Sequence, residues 1–150
     1  MEANHPIISL KKAQIYQRDH LILKDVSFEI ENGEFVYLIG KTGSGKSSLL
    51  KTLYGDLRLT EGEGNMVGYN LRKIKEKEIP FLRRKIGVVF QDFQLLEDRT
   101  IEDNLLFVMQ ATDWKDKQKI KKRLHDVLEL VNMTMKSYKM PHQLSGGEQQ

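Results

Sequence analysis

Gly40, Gly45, Lys46 and Ser47 stand in the spacing G-x-x-x-x-G-K-S, and the chemistry this spacing serves is the holding of phosphate. In the loop Gly40-Lys41-Thr42-Gly43-Ser44-Gly45-Lys46-Ser47 the glycines let the backbone pass close to an anion, and successive N–H groups point inward at it. Lys46 has the reach to meet the β- and γ-phosphates of a nucleoside triphosphate. The Ser47 hydroxyl is the expected Mg²⁺ ligand, one oxygen of an octahedral shell otherwise filled by phosphate oxygens and water. Ser48 is a further candidate for a phosphate contact.

A glycine-rich turn does this work only when a strand feeds it and a helix leaves it. Glu34-Phe35-Val36-Tyr37-Leu38-Ile39 is short, apolar and rich in aromatic and β-branched residues, which predicts a strand buried in a parallel sheet. The stretch 47–54, followed by Gly55, has the length and stop signal of a short helix whose N-terminus backs the anion site.

Composition narrows the rest. The chain has 150 residues, 39% apolar and 30% charged, which is enough for one domain with a core and excludes intrinsic disorder. A net charge of +3 from 24 basic and 21 acidic residues does not argue for nucleic acid. There is no cysteine, so disulfides and thiolate metal sites are excluded, and His5, His20, His125 and His142 lack metal-ligand spacing. No stretch approaches the about 20 apolar residues of a membrane span. The expected compartment is therefore the cytosol, with any membrane role exercised through a partner.

Along the chain, 7–15 and 21–30 read as strands joined by the polar turn Gln17-Arg18-Asp19-His20, with the alternation of the second broken near Lys24-Asp25. Tyr16 closes the first strand; it is either a half-exposed strand aromatic or a platform for adenine stacking. A short strand is expected at Asn65-Met66-Val67, and Pro80 opens a short helix over 81–84. Ile86-Gly87-Val88-Val89-Phe90 is a second buried-strand pattern, with Gln91 at its carboxyl end, where ligands collect in open α/β sheets. Two helices follow at 100–111, capped by Thr100, and at 114–131, with Ile120, Leu124, Val127, Leu128 and Val131 on one face. They have no strand between them, which predicts a helical subdomain; the lysines of 115–123 form its wet face. Ser145-Gly146-Gly147 then caps a helix starting near Glu148.

Leu144-Ser145-Gly146-Gly147-Glu148-Gln149-Gln150, the phosphate loop and Gln91 in a Phe-Gln-Asp setting together resemble the nucleotide-binding subunits of the ATP-binding cassette (ABC) superfamily, over nearly the whole chain. Pro80-Phe81-Leu82-Arg83-Arg84-Lys85-Ile86-Gly87, with Phe90-Gln91-Asp92, Leu95-Leu96, Asp98-Arg99-Thr100 and Asp103-Asn104, is similar to the middle section of the cell-division ATPases in that superfamily. The lipoprotein-release and macrolide-export ATPases share much of the pattern.

The resemblance implies an α/β P-loop core of ABC type, with an N-terminal antiparallel β subdomain and a helical signature subdomain: residues 1–95 for the β subdomain and P-loop core, 96–150 for the helical part. It implies ATP and Mg²⁺ as ligands, Tyr16 stacking on adenine, and Gln91 approaching Mg²⁺ and γ-phosphate while linking the site to a membrane partner. Ser145, Gly146 and Gly147 would close over ATP bound to the other subunit of a head-to-tail homodimer. The implied partner is a transmembrane subunit of the FtsX type, and the implied location is the cytoplasmic face of the inner membrane. The family's next strand, with its Mg²⁺-binding Asp, following Glu and switch His, has no counterpart in residues 1–150. The chain is therefore expected to be part of a longer ATPase and to expose an apolar sheet edge. An ATP-binding regulator that does not hydrolyse is the alternative from a different class, and an export ATPase is a third reading.

Overall fold

The computed structural model describes residues 6–150, which form two compact units, one running to Ile86 and the other spanning Gly87–Gln150. The first is built on an antiparallel sheet. β1 (Ile8–Gln17) and β2 (His20–Ile30) pair as a hairpin, and β3 (Glu61–Met66) and β4 (Tyr69–Asn70) complete the order β2-β1-β3-β4. Asp25, at the break in the alternation, adopts φ 53°. There the register runs from Ala13↔Val26 to Ile15↔Leu23, so β2 carries one extra residue as a bulge. Gly62 has to be glycine: φ is +83°, and a Cβ would lie 2.3 Å from the Lys12 carbonyl oxygen of the neighbouring strand.

α1 (Lys46–Leu53) lays Leu49 and Leu53 into a core made by Leu10, Ala13 and Ile15 of β1, together with Leu59, Leu71 and the fully buried Leu82 of α2 (Ile79–Arg83). Pro80 stands in the first turn of α2, where its missing N–H costs nothing. Asp56 pairs with Lys51 at 3.5 Å and Arg83 at 3.9 Å, and Arg83 Nε donates to the Tyr54 carbonyl at 3.1 Å. These pairs are about half exposed and individually weak. The leucines hold α1 in place.

Two expected strands do not form. Residues 34–39 join no strand, with Phe35 81% and Ile39 87% exposed, and 86–90 likewise join none, with Val89 70% exposed. The reason is partner supply. A hairpin finds its partner across a short turn, whereas a parallel strand needs neighbours delivered by crossovers. No described residues supply them.

The Gly87–Gln150 unit is helical. α3 (Ile101–Ala111) begins as predicted at Thr100, whose Oγ1 accepts from the Asp103 N–H at 3.1 Å. α4 (Lys117–Leu130) begins later than predicted because Asp116 caps it, accepting from the Gln118 and Lys119 N–H groups at 2.9 and 3.1 Å. Leu124 and Leu128 pack with Met133 and Leu144 against Ile101, Leu105 and Leu106. Val131, expected on that face, is the residue at which α4 ends and is exposed. The buried Asn104 side chain bonds backbone groups of Leu96, Arg99 and Thr100 at 2.8 to 3.3 Å, tying the preceding loop to α3. α5 (Gly146–Gln149) is a single turn capped by Ser145.

Candidate functional site

The phosphate loop leaves the extended segment 34–39 and enters α1 through Gly45, which is the N-cap in a left-handed conformation at φ 90°. A Cβ at Gly45 would sit 2.9 Å from side-chain atoms of Ile22 and Leu23, so glycine is what lets the loop rest against β2. Gly43, at φ +80°, has open space on its Cβ side. Within the loop Ser44 N–H donates to the Lys41 carbonyl at 3.1 Å. Lys46 folds back over the bend and donates to the carbonyls of Gly40 at 2.7 Å and Lys41 at 2.8 Å. An ammonium has three donors, so its third is the one an incoming anion oxygen can take. The first N–H groups of α1 lack partners within their own helix and face the same side as the loop.

Around this loop Ser47 is exposed and Ser48 is buried. The placement suits a hydroxyl offered outward by Ser47; the Ser48 carbonyl accepts from Thr52 Oγ1 at 2.9 Å. These residues fit magnesium nucleotide: fixed dipoles and a cation for phosphate, one hydroxyl for the metal. The described residues bring no three His, Cys, Asp or Glu side chains together. A magnesium ion here would depend on Ser47 and on oxygens the nucleotide brings.

Tyr16 belongs to the same unit. It pairs in register with Leu21, two residues before the Leu23 that Gly45 rests against, so β2 ties its strand end to the loop's exit. Its hydroxyl donates to Glu61 Oε1 at 2.9 Å. That bond, then burial and the Glu61 charge, raise the phenol above its ordinary value. The ring is half-buried, and Glu61 is a partner that sequence reasoning did not find, because it lies 45 positions away on β3.

Gln91 and 145–147 lie in the other unit. Gln91 is exposed directly after the segment 86–90, which joins no strand. Val88, Val89 and Phe90 line a cavity of about 690 Å³ together with Leu128, Ser145 and Glu148. The segment leading to Gln91 and the 145–147 turn thus share one apolar hollow. At that turn the Ser145 N–H and Oγ–H both donate to Glu148 Oε2, at 2.9 and 3.0 Å, and Lys136 Nζ bonds Glu148 Oε1. The S-x-x-E spacing is a capping signal that could have pointed to Glu148. Nothing in the spacing points to Lys136. The Gln149 side chain donates to the carbonyls of Pro141 and Leu144, both at 3.1 Å, and seats α5 from below.

Comparison with known proteins gives these features a context. The family profile described as ABC transporter matches residues 23–150. The cell division ATP-binding protein FtsE of Bacillus subtilis is 47% identical over 128 residues, 85% of this chain and 56% of that protein. Its namesake in Streptococcus pneumoniae is 40% identical over 135 residues, 90% of this chain and 58% of that protein. The methionine import ATP-binding protein MetN of Helicobacter pylori is 39% identical over 145 residues, 96% of this chain and 44% of that protein. The chain thus spans little more than half the length of the cell-division relatives. Among solved structures, a bacterial ABC transporter cassette in its dimeric form aligns with a TM-score of 0.75 at 31% identity, covering 95% of this chain and 65% of that one. A profile match running from β2 to the last residue, with relatives this similar over most of the chain, means that the chain belongs to the ABC transporter family.

Proposed function

We propose that the chain is the nucleotide-binding part of an ATP-binding and ATP-hydrolysing subunit that works with an FtsX-like transmembrane partner in bacterial cell division. The observation that carries this reading is the similarity to FtsE proteins of two organisms over 85% and 90% of the chain. Residues 1–95 take the nucleotide and 96–150 carry the signature turn. The loop amides of 40–47 and Lys46 hold the phosphates, Ser47 ligates Mg²⁺, Ser48 adds a phosphate contact, and Tyr16 offers its ring to adenine. Magnesium, when bound, neutralises phosphate charge. Gln91 senses the γ-phosphate and Mg²⁺ and passes the state of the site to the membrane partner.

Ser145, Gly146 and Gly147 serve the ATP held by a second copy of the chain in a head-to-tail homodimer. A solved relative in the dimeric form supports the pairing of two copies. ATP then joins the two subunits, and its loss separates them, because the ligand binds the closed state better than the open one. No helix among the described residues is long and apolar enough to cross a membrane; in this reading attachment to the cytoplasmic face runs through the partner.

The test is Mg²⁺-dependent ATP turnover by the full-length protein with and without Lys46→Ala, together with identification of the membrane protein that co-purifies. Turnover retained in the variant would reject the site. The similarity to MetN keeps a methionine-import subunit as a second reading, and a lipoprotein-release or macrolide-export subunit as a third; the co-purifying permease separates all of them. Phosphate release from residues 1–150 alone would exclude an ATP-binding regulator without hydrolysis.

A further inference from the structure

We propose that Lys136 is a positioning residue for the Ser145 turn, acting through Glu148: it fixes the carboxylate that anchors Ser145 and cancels a negative charge that would otherwise face the nucleotide's γ-phosphate. The inference rests on the reading of Ser145 as a contact to ATP.

Four observations carry it. Glu148 Oε2 takes both donors of Ser145, the backbone N–H and the hydroxyl, so the carboxylate anchors the turn at Ser145. Its other oxygen, Oε1, is bonded and ion-paired to the Lys136 ammonium, from a residue 12 positions earlier in the chain. Lys136 ends the 3₁₀ turn Thr134–Lys136, and its N–H donates to the carbonyl of the buried Met133 at 2.9 Å, so the cation stands on the unit's own core. Finally, the Gln149 bonds to Pro141 and Leu144 hold α5 still while this happens.

The electrostatic consequence follows directly. A carboxylate within hydrogen-bond reach of Ser145 Oγ is a poor neighbour for a phosphate oxygen, since like charges at such spacing repel. Bonded to Lys136, the carboxylate is part of a neutral couple. When a phosphate oxygen accepts the Ser145 hydroxyl's hydrogen bond in place of the carboxylate, Glu148 keeps the ammonium on one oxygen and the Ser145 N–H on the other. No buried acceptor is stranded by the exchange. Lys136 and the two Ser145 donors also hold the Glu148 carboxyl down at about 2, so the couple is ionised at neutral pH.

The test is the KM for ATP and kcat of the full-length protein in four variants: Lys136→Met, Lys136→Arg, Glu148→Gln, and the Lys136→Met/Glu148→Gln double. Lys136→Met should raise KM about fivefold with kcat changed less than about twofold, since the couple is partly exposed and its influence modest. Lys136→Arg should stay near the parent. The double should return KM to within about twofold of the parent, because the uncompensated charge leaves with the cation. A merely structural ion pair predicts a double at least as impaired as Lys136→Met, and that outcome overturns the proposal. So does an unchanged KM in Lys136→Met. Lys46→Ala is run alongside: if it leaves turnover intact, the nucleotide-site reading falls and the inference with it. If it abolishes turnover while Lys136→Met keeps its KM, only the inference falls.

Discussion

Each of the two glycine-bearing turns, 40–47 and 145–147, sets a serine hydroxyl beside a helix start, and each is fastened by a lysine, but in opposite senses. Lys46 comes from inside its own loop and lies on backbone carbonyls, which keeps its full charge available to an anion. Lys136 arrives from a distant turn and lies on a carboxylate, so its charge is cancelled where it is used. The helices behind them differ too: α1 has eight residues with two leucines in the core, whereas α5 has four and is seated by one glutamine side chain. The loop at 40–47 is therefore built for affinity. The turn at 145–147 is built for placement, anchoring a serine without adding net charge.

If that contrast is right, substitutions at the first turn should dominate. Lys46→Ala should weaken ATP binding by about a hundredfold, the scale of a lost charge-assisted phosphate bond, as read by fluorescence titration with a labelled nucleotide. A loss below about threefold would erase the distinction. Leu53→Ala, at the far end of α1, should lower stability by about 2–4 kcal/mol in urea unfolding, because it opens a cavity in the core that holds α1. Tyr16→Ala should cost about tenfold in ATP affinity if its ring carries the base, while Tyr16→Phe, which loses the hydroxyl's contacts with Glu61 and Gln14 but keeps the ring, should stay within about twofold. Equal effects of the two Tyr16 variants would assign the residue a purely structural role.

The smallest effect is expected at the second turn and in acid. Glu148 is held down from 4.5 to about 2 by Lys136 first, then by the two Ser145 donors, with burial opposing. A depressed carboxyl contributes stability above its unfolded value and loses it as pH falls through the folded one. The difference between parent and Glu148→Gln should therefore be fully present above pH 4.5 and fade between 4.5 and about 2. Circular dichroism during acid titration reads it; a difference that grows on acidification would contradict the geometry.

Much of this was legible in the residue order, wherever an interaction closes over a few positions. The hairpin turn at Gln17-Arg18-Asp19-His20, the Thr100 cap and the Pro80 helix start follow from local chemistry, and the structure has them where expected. The start of α4 was misread because Asp116 is a better cap than anything at residue 114. The segments 34–39 and 86–90 carry the composition of buried strands, but composition states only that a residue suits a sheet, and whether a sheet is there depends on other chain.

Taken alone, the sequence determined the phosphate loop, the signature turn and the family they resemble, because glycine freedom, a lysine's reach and a capping serine act within one turn of chain. Only the tertiary structure decided that Glu61 receives the Tyr16 hydroxyl from 45 positions away, that Gly45 rests on β2, and that Lys136 neutralises Glu148. The reason is physical: backbone conformation is set by neighbours along the chain, whereas the partner of a charge or a hydroxyl is set by the path the chain takes through space.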